Sequence, residues 1–258
     1  ITSAVWSPPY YPTGLFLLER FLMFIYWRVC ELQKSISYVN RWKNYNKTDI
    51  LKRCWLSVQS SVSPDDQIYL IEDNVTHETL TWLRETCKAK LSIIHVPEHA
   101  WEYHQHTVTL IDTLESSVKQ YEQDVHLILE DDYLFTPNGL NTFKLSAENW
   151  NQGFIAPYDY IDRYKEIKPT QVLLGPDRHW RTVDSITMTV AAKGFIWVKY
   201  LKDLKDAAPT SNDKVFDKIL SEVPCISPMP SLCSHLTEHH NSPYMDIENI
   251  WKYYENNL

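Results

Sequence analysis

The chain has 258 residues, 44% of them hydrophobic and 13% aromatic, which is enough for one sizeable core and consistent with one domain. A formal net charge of −8 at pH 7 excludes a chain-wide surface for coating a polyanion, because phosphate binding needs Lys and Arg to displace counterions; five glycines exclude a loop-dominated or repeat architecture. The five cysteines, Cys30, Cys54, Cys87, Cys225 and Cys233, are scattered and form no C-x-x-C pair, which points to free thiols in a reducing, cytoplasmic setting.

In chain order, Trp6 to Pro12 carries three prolines and is expected as an extended arm. The apolar stretch Leu15 to Trp27, interrupted by Glu19 and Arg20, is too short to span a bilayer and reads as a helix, starting near Thr13, that docks on the core. No transmembrane segment is expected. Ser35 to Val39 alternates small or polar with bulky residues and stops at Asn40-Arg41, the pattern of a first core strand.

Thr48 or Asp49 would cap a helix whose buried face is Ile50, Leu51, Cys54, Trp55 and Val58. Gln67 to Ile71 reads as a strand ending at Glu72-Asp73, followed by a helix from Thr76. Leu91 to Val96 is the next strand, then come a His-rich loop and a helix around Val108 to Tyr121. Val125 to Leu129 is a strand running straight into Glu130-Asp131-Asp132. Four strands alternating with helices predict an α/β fold with a doubly wound, mainly parallel sheet, which binds ligands beyond the carboxyl ends of its strands.

The second half is less regular. A helix near Leu140 to Trp150, strands at Gly153 to Ala156 and Gln171 to Leu174, a β-branched run from Ser185 to Ala192 and a helix from Asn212 to Leu220 are expected. Pro224 to Pro243 reads as a long loop over the sheet.

The chemistry centres on the triplet. Three consecutive carboxylates repel one another unless they splay into water or a cation neutralises them. A hard divalent ion, Mn²⁺ or Mg²⁺, held by one or two carboxylates plus phosphate oxygens fits the pattern, although acidic residues also end strands as plain solvated turns. Arg178, His179, Trp180 and Arg181 supply cations and an aromatic face apt for a diphosphate and a sugar, or an exposed turn around a buried Trp. Tyr158, Asp159 and Tyr160, just past Pro157, would line an acceptor or form a surface turn. His235, His239 and His240 with Glu238 raise a zinc alternative, which needs a helix that Pro230 and Pro243 oppose.

These segments, in this order, resemble a GT-A-type, nucleotide-sugar-dependent glycosyltransferase, nearest to the broad family 2. Ser37 to Arg41 is similar to that family's first strand, Leu51 to Val58 to the helix after it, Ile68 to Asn74 to the second strand with its nucleotide-contacting acid, and Glu130-Asp131-Asp132 to the metal-binding D-x-D signature. The match covers roughly residues 34 to 135. It departs from the family where Glu130 replaces the first Asp, where Asn74-Val75 replaces Gly-Ser, and where His104-Gln105-His106 falls near a missing Ala-Arg-Asn element.

The resemblance implies an arm and helix over 1–33 and a catalytic domain over 34–258, with a nucleotide half to about 135 and an acceptor half beyond. It places Asn40, Arg41, Glu72, Asp73, His104, Gln105 and Asp131 around a nucleoside-diphosphate sugar, to whose diphosphate the residue types of Arg178 and Arg181 are also suited, and Glu130, Asp132 and a late His235 around the metal. Asp213, at the start of a late helix, would be the general base, with Asp217 and Asp184 as rivals, for an inverting transfer to an acceptor hydroxyl on a glycan, protein or small molecule. A hydroxylated nucleic-acid base is a further acceptor that the net charge disfavours. Two other classes compete: a nucleotidyltransferase, which would carry a Gly-rich phosphate loop where Ser37 to Lys43 has no Gly, and a non-catalytic sugar- or nucleotide-binding module, against which the intact Asp131-Asp132 speaks.

Overall fold

The computed structural model describes residues 22–31, 41–96, 105–165, 168–175, 177–210 and 214–255. The chain enters on β1 (Met23–Cys30), then α1 (Lys47–Gln59), β2 (Gln67–Asp73), α2 (His77–Thr86), β3 (Lys90–His95), α3 (Gln105–Val118) and β4 (Val125–Glu130). It continues through β5 (Tyr133–Phe135), α4 (Gly139–Asn149), β6 (Phe154–Ile155), α5 (Asp162–Lys165), β7 (Val172–Leu174), β8 (His179–Val183), β9 (Val190–Lys193) and α6 (Gly194–Ala207). It ends with α7 (Val215–Leu220), β10 (Cys225–Met229), β11 (Cys233–His235) and α8 (Ile247–Glu255).

Among the described residues nine strands form one sheet in the order β3-β2-β1-β4-β9-β6-β10-β8-β7. β1, β2, β3, β4, β6, β7 and β10 point one way, and β8 and β9 run against them. The expected α/β, doubly wound and mainly parallel architecture is therefore present. An inner strand of its parallel block β3-β2-β1-β4, however, is β1, which pairs in parallel with β2 on one side and β4 on the other.

That strand corrects the helix expected over Leu15 to Trp27: Met23 to Trp27 is extended. Successive side chains alternate between faces. Met23, Ile25, Trp27 and Val29 join one core cluster, while Phe24 and Tyr26 join the other. Both faces are covered by helices, so the strand reads as an unbroken apolar run, and periodicity cannot separate such a run from a buried helix. A core strand thus lies on the arm side of the boundary placed at residue 33. The segment Ser35 to Val39, expected as the first strand, lies outside the described residues.

The faces are populated as the helical spacings require. Ile50, Leu51, Cys54, Trp55 and Val58 of α1, Leu80 and Leu83 of α2, Phe143 of α4 and Trp251 of α8 cover one face. Leu110, Leu114 and Val118 of α3, Trp197 and Leu204 of α6 and Phe216 of α7 cover the other. Trp27 and Trp55 stack at 4.8 Å between ring centroids. The cap of α1 is Asn46, whose side chain accepts from the Asp49 N–H at 2.8 Å, so Thr48 and Asp49 lie inside the first turn.

Two further corrections fall in the second half. Pro224 to Pro243 is not a loop over the sheet: β10 lies within the sheet beside β6 and β8, and β11 pairs with β5 in a separate two-stranded ribbon. Pro228 is tolerated inside β10. At the entry to this region the Phe154 N–H donates to the Pro224 carbonyl at 2.9 Å, and a Cβ on Gly153 would sit 2.0 Å from the same oxygen. Of the run Ser185 to Ala192, only Val190 to Ala192 falls in a strand, β9. Among the described residues no helix is long and apolar enough to cross a membrane.

Candidate functional site at the carboxyl ends of the central strands

Parallel strands with crossover helices leave their carboxyl ends on one edge, and the winding direction reverses between β1 and β4. That is where a doubly wound sheet opens a crevice. Glu130, Asp131 and Asp132 finish β4 at this point, next to Cys30 at the end of β1; Glu72 and Asp73 end β2 one strand away.

The repulsion expected among the three carboxylates is relieved by the protein's own cations. Arg28 faces Glu130 across the β1–β4 ladder, with Nη2 to Oε1 at 2.5 Å. Asp131 is buried, accepts from the Cys30 N–H at 2.8 Å, and takes the Lys47 ammonium on its other oxygen. Lys47 opens α1, so Asp131 braces that helix against the end of β1. Asp132 accepts from Arg41 Nη1 at 2.9 Å. Charge-assisted bonds of this kind are the strong ones once desolvated.

His235 reaches the triplet from more than a hundred residues away through the β5–β11 ribbon. His235 lies opposite Tyr133, the rings stack at 4.7 Å, and the Leu236 N–H donates to the Asp132 carbonyl at 2.8 Å. This puts His235 Nε2 at 3.3 Å from Asp132 Oδ2. Burial alone would raise the Asp132 pKa, but His235, Lys47 and Arg41 outweigh it and hold the carboxyl well below its usual range. For His235 burial acts to lower the pKa, and Asp132 outweighs it, so the imidazole is raised.

Two protein donors, one carboxylate oxygen and one imidazole nitrogen, thus converge where a metal and a diphosphate are expected, a set suited to Mn²⁺. Glu130 turns its carboxylate to Arg28 instead. Among the described residues no group of three His, Cys, Asp or Glu side chains is arranged to hold an ion. The zinc alternative loses its helix: β11 and a loop replace it, and His239 is exposed.

On the nucleotide side, Glu72 accepts from the Val75 N–H at 3.3 Å and pairs with His95 at the end of β3. The Asp73 pKa is raised, chiefly by burial, against the opposing Asn74 amide 2.6 Å away. Gln105 begins α3, past the end of β3. Asn40 and His104 lie outside the described residues.

The acceptor-side candidates divide. Tyr158 and Asp159 are buried, not a surface turn. Arg181 is buried on β8 and pairs with Asp159, whose second oxygen accepts from the Tyr164 hydroxyl at 2.6 Å. Trp180 is buried beside it. Arg178 donates to the Pro230 carbonyl at 3.0 Å, on the same sheet edge as the triplet but several strands away. Asp184 is exposed and ion-paired with Arg163 and Lys168. Its carboxyl pKa is lowered despite partial burial, chiefly by Arg163, which weakens it as a base. Asp217 is exposed on α7, which packs through Phe216 and Ile219. Asp213 lies outside the described residues.

No protein-family profile matches the sequence. No curated protein matches it either. Among solved structures, the chain aligns with residues 1–349 of TarS from S. aureus at 10% identity and a TM-score of 0.46, over 80% of this chain and 58% of that one. A longer S. aureus TarS chain aligns at 10% identity and a TM-score of 0.44, over 80% and 35%. A 4-diphosphocytidyl-2C-methyl-D-erythritol synthase from Anaerococcus prevotii aligns at 10% identity and a TM-score of 0.47, over 92% and 96%. The chain therefore spans 58% and 35% of the two TarS chains. The reaction is therefore argued from the residues themselves.

Several residues of this edge carry no sequence signal of their own. Arg28 and Lys47 sit in a strand and a helix start and become site residues only by pairing with the triplet. Glu31 accepts from the Thr76 N–H at 2.7 Å and from the Thr48 and Thr79 hydroxyls at 2.8 and 2.7 Å, tying the starts of α1 and α2 to the end of β1. An acid just past a buried apolar strand is the signal that could have found it, had Met23 to Cys30 been read as a strand.

Proposed function

We propose that the chain moves a monosaccharide from a nucleoside-diphosphate sugar to an acceptor hydroxyl. The observation that carries this is the convergence of Asp132 and His235, 3.3 Å apart, at the crevice between β1 and β4. Two acidic strand ends and three cations surround it. Such an edge suits a ligand whose charge lies on a diphosphate and whose hydroxyls need acceptors.

In this reading Glu72 and Asp73 accept hydrogen bonds from the base or ribose, with His95 and the Val75 N–H fixing Glu72. Asp132 and His235 would hold Mn²⁺ or Mg²⁺, which supplies Lewis-acid stabilisation to the departing diphosphate. Arg28, Arg41 and Lys47 keep the triplet's carboxylates oriented and match their three charges, so a diphosphate approaches a triplet that is balanced rather than strongly negative. For the acceptor proton, Asp213 remains the proposed base on the resemblance, since Asp184 is committed to Arg163 and Lys168.

The test is a panel of nucleotide sugars with Mn²⁺ or Mg²⁺, scored for nucleoside diphosphate release. Asp132→Asn should lower release about a hundredfold or more, the scale expected when a group stabilising the transition state is lost. A wild type that neither binds nor hydrolyses any donor, or release unaltered in Asp132→Asn, would overturn the proposal. Pyrophosphate release from a nucleoside triphosphate and a sugar phosphate would favour the nucleotidyltransferase class.

A further inference from the structure

Next to the triplet the sheet edge opens into a cleft of about 330 Å³. The connection is short. The Tyr133 hydroxyl, one residue past Asp132, lies 2.8 Å from Thr187 Oγ1, and the Thr187 N–H donates to the Tyr160 hydroxyl. Thr187 and Tyr160 both line the cleft. Thr189 extends the same link, its hydroxyl accepting from the Glu130 N–H at 3.2 Å.

The opposite wall is cationic. Arg163, Lys165 and Lys168 line it, with Asp162 the acid among the lining residues. Residues 162–168 set these three cations against Asp162 and Glu166, a local surplus of one positive charge in a chain of net charge −8. Lys165 lies 3.4 Å from Asp162 within the wall, whereas Arg163 and Lys168 meet a carboxylate outside it. Asp184, with its side chain 60% exposed, pairs with Arg163 and lies 3.4 Å from Lys168. Arg163 also donates to the Ser185 carbonyl and hydroxyl at 2.8 Å each, which fixes the plane of its guanidinium. The wall itself is pinned from behind: the buried Arg181–Asp159 pair holds the Tyr164 hydroxyl of α5, and the Arg181 guanidinium lies over the Tyr164 ring at 4.7 Å.

We propose that this cleft binds the anionic group, a phosphate or a carboxylate, of a sugar-sized acceptor, with Arg163 and Lys168 exchanging Asp184 for the ligand. The inference rests on the glycosyl-transfer reading of the adjoining edge and names the acceptor class for it. The volume lies at the small end of ligand sites, where one monosaccharide with one charged substituent fits. The Arg163 Nη1 that now meets Asp184 would offer either anion a charge-assisted bond, while Lys168 adds a mobile point charge. Hydroxyls of Tyr160, Ser185 and Thr187 suit the sugar's own hydroxyls.

The test is calorimetric titration of the whole chain with glucose 6-phosphate, glucuronic acid and glucose, with no nucleotide sugar present. Each anion should bind about tenfold or more tighter than glucose, and comparison of the two anionic arms tells phosphate from carboxylate. Lys168→Gln, on a half-exposed side chain, and Arg163→Gln should each erase most of the preference. Asp184→Asn, which removes the competing carboxylate, should tighten both anions. Equal binding of all three sugars, no binding of either anion at millimolar concentration, or a preference that survives Lys168→Gln in a normally melting protein would overturn the inference. Donor turnover without anion binding would refute this inference alone; anion binding without donor turnover would refute the transferase reading alone.

Discussion

Replacing Lys47 by Met tests whether Asp131 serves as a brace between α1 and β1. Both side chains are nearly inaccessible, at 5% for Lys47 and 9% for Asp131. Removing the ammonium leaves a buried carboxylate with the Cys30 N–H as its remaining hydrogen-bond donor from the residues named above, at 2.8 Å. Breaking a buried ion pair from one side costs about 3 to 5 kcal/mol, and the retained N–H places Lys47→Met at the lower end, about 3 kcal/mol. That is a large share of the roughly 5 to 15 kcal/mol by which domains are stable. Asp131→Asn added to Lys47→Met removes the stranded charge while keeping an acceptor for Cys30. The double variant should therefore recover about 2 kcal/mol relative to the sum of the single changes, within the range found for residues in contact. Urea unfolding followed by tryptophan fluorescence measures this, with the Trp27–Trp55 stack as reporter. A loss under about 1 kcal/mol in Lys47→Met, or strict additivity in the pair, would refute the brace. If Asp131→Asn instead kept full stability and lost donor release, Asp131 would belong to the donor.

A second prediction concerns acid. His126 is buried between the Tyr26 hydroxyl at 2.8 Å and the Tyr121 carbonyl at 2.9 Å, and burial lowers its pKa to about 4 from 6.5. Between those values the unfolded state binds more protons, so stability falls as pH drops through the window and is flat above it. The slope is about 1.4 kcal/mol per pH unit and the total about 3 kcal/mol. Urea midpoints from pH 7 to pH 4 should show this extra slope in the wild type and lose it in His126→Asn; identical slopes would count against it. Glu31→Ala removes the acceptor shared by the Thr76 N–H and the Thr48 and Thr79 hydroxyls. It should cost about 2 kcal/mol and speed amide exchange in the first turn of α2, and unaltered exchange there would mean the staple is not formed in solution.

The β-α alternation from Gln67 to Asp132 was legible because each element shows its period locally: Leu80 and Leu83 on α2, Leu110 and Leu114 on α3, and an apolar β4 closed by three acids. The strand β1, between β2 and β4, was not legible as a strand. Met23 to Val29 is buried on both faces, so no polar alternation marks it, and the alternating run at Ser35 to Val39 drew the assignment instead. β10 was missed for a different reason. Pro228 and the prolines around it are turn signals, yet the strand forms because Cys225 and Ile226 pair with β6 and the whole segment pairs with β8.

The triplet shows the same division. Its position after a buried strand could be read directly, and so could His235 as a late histidine. Arg28 and Lys47 as partners of Glu130 and Asp131 could not, because nothing near either residue in sequence distinguishes it from an ordinary charge.

By itself, then, the amino-acid order determined which segments have a buried face and where acids cluster at their ends, since both follow from spacing over a few residues. Tertiary structure alone decided which strand lies between β2 and β4, which cation meets which carboxylate, and that β5 and β11 bring His235 to Asp132. Those outcomes depend on pairings between residues far apart in the chain, selected by the burial and charge compensation of the whole, and local spacing carries no record of them.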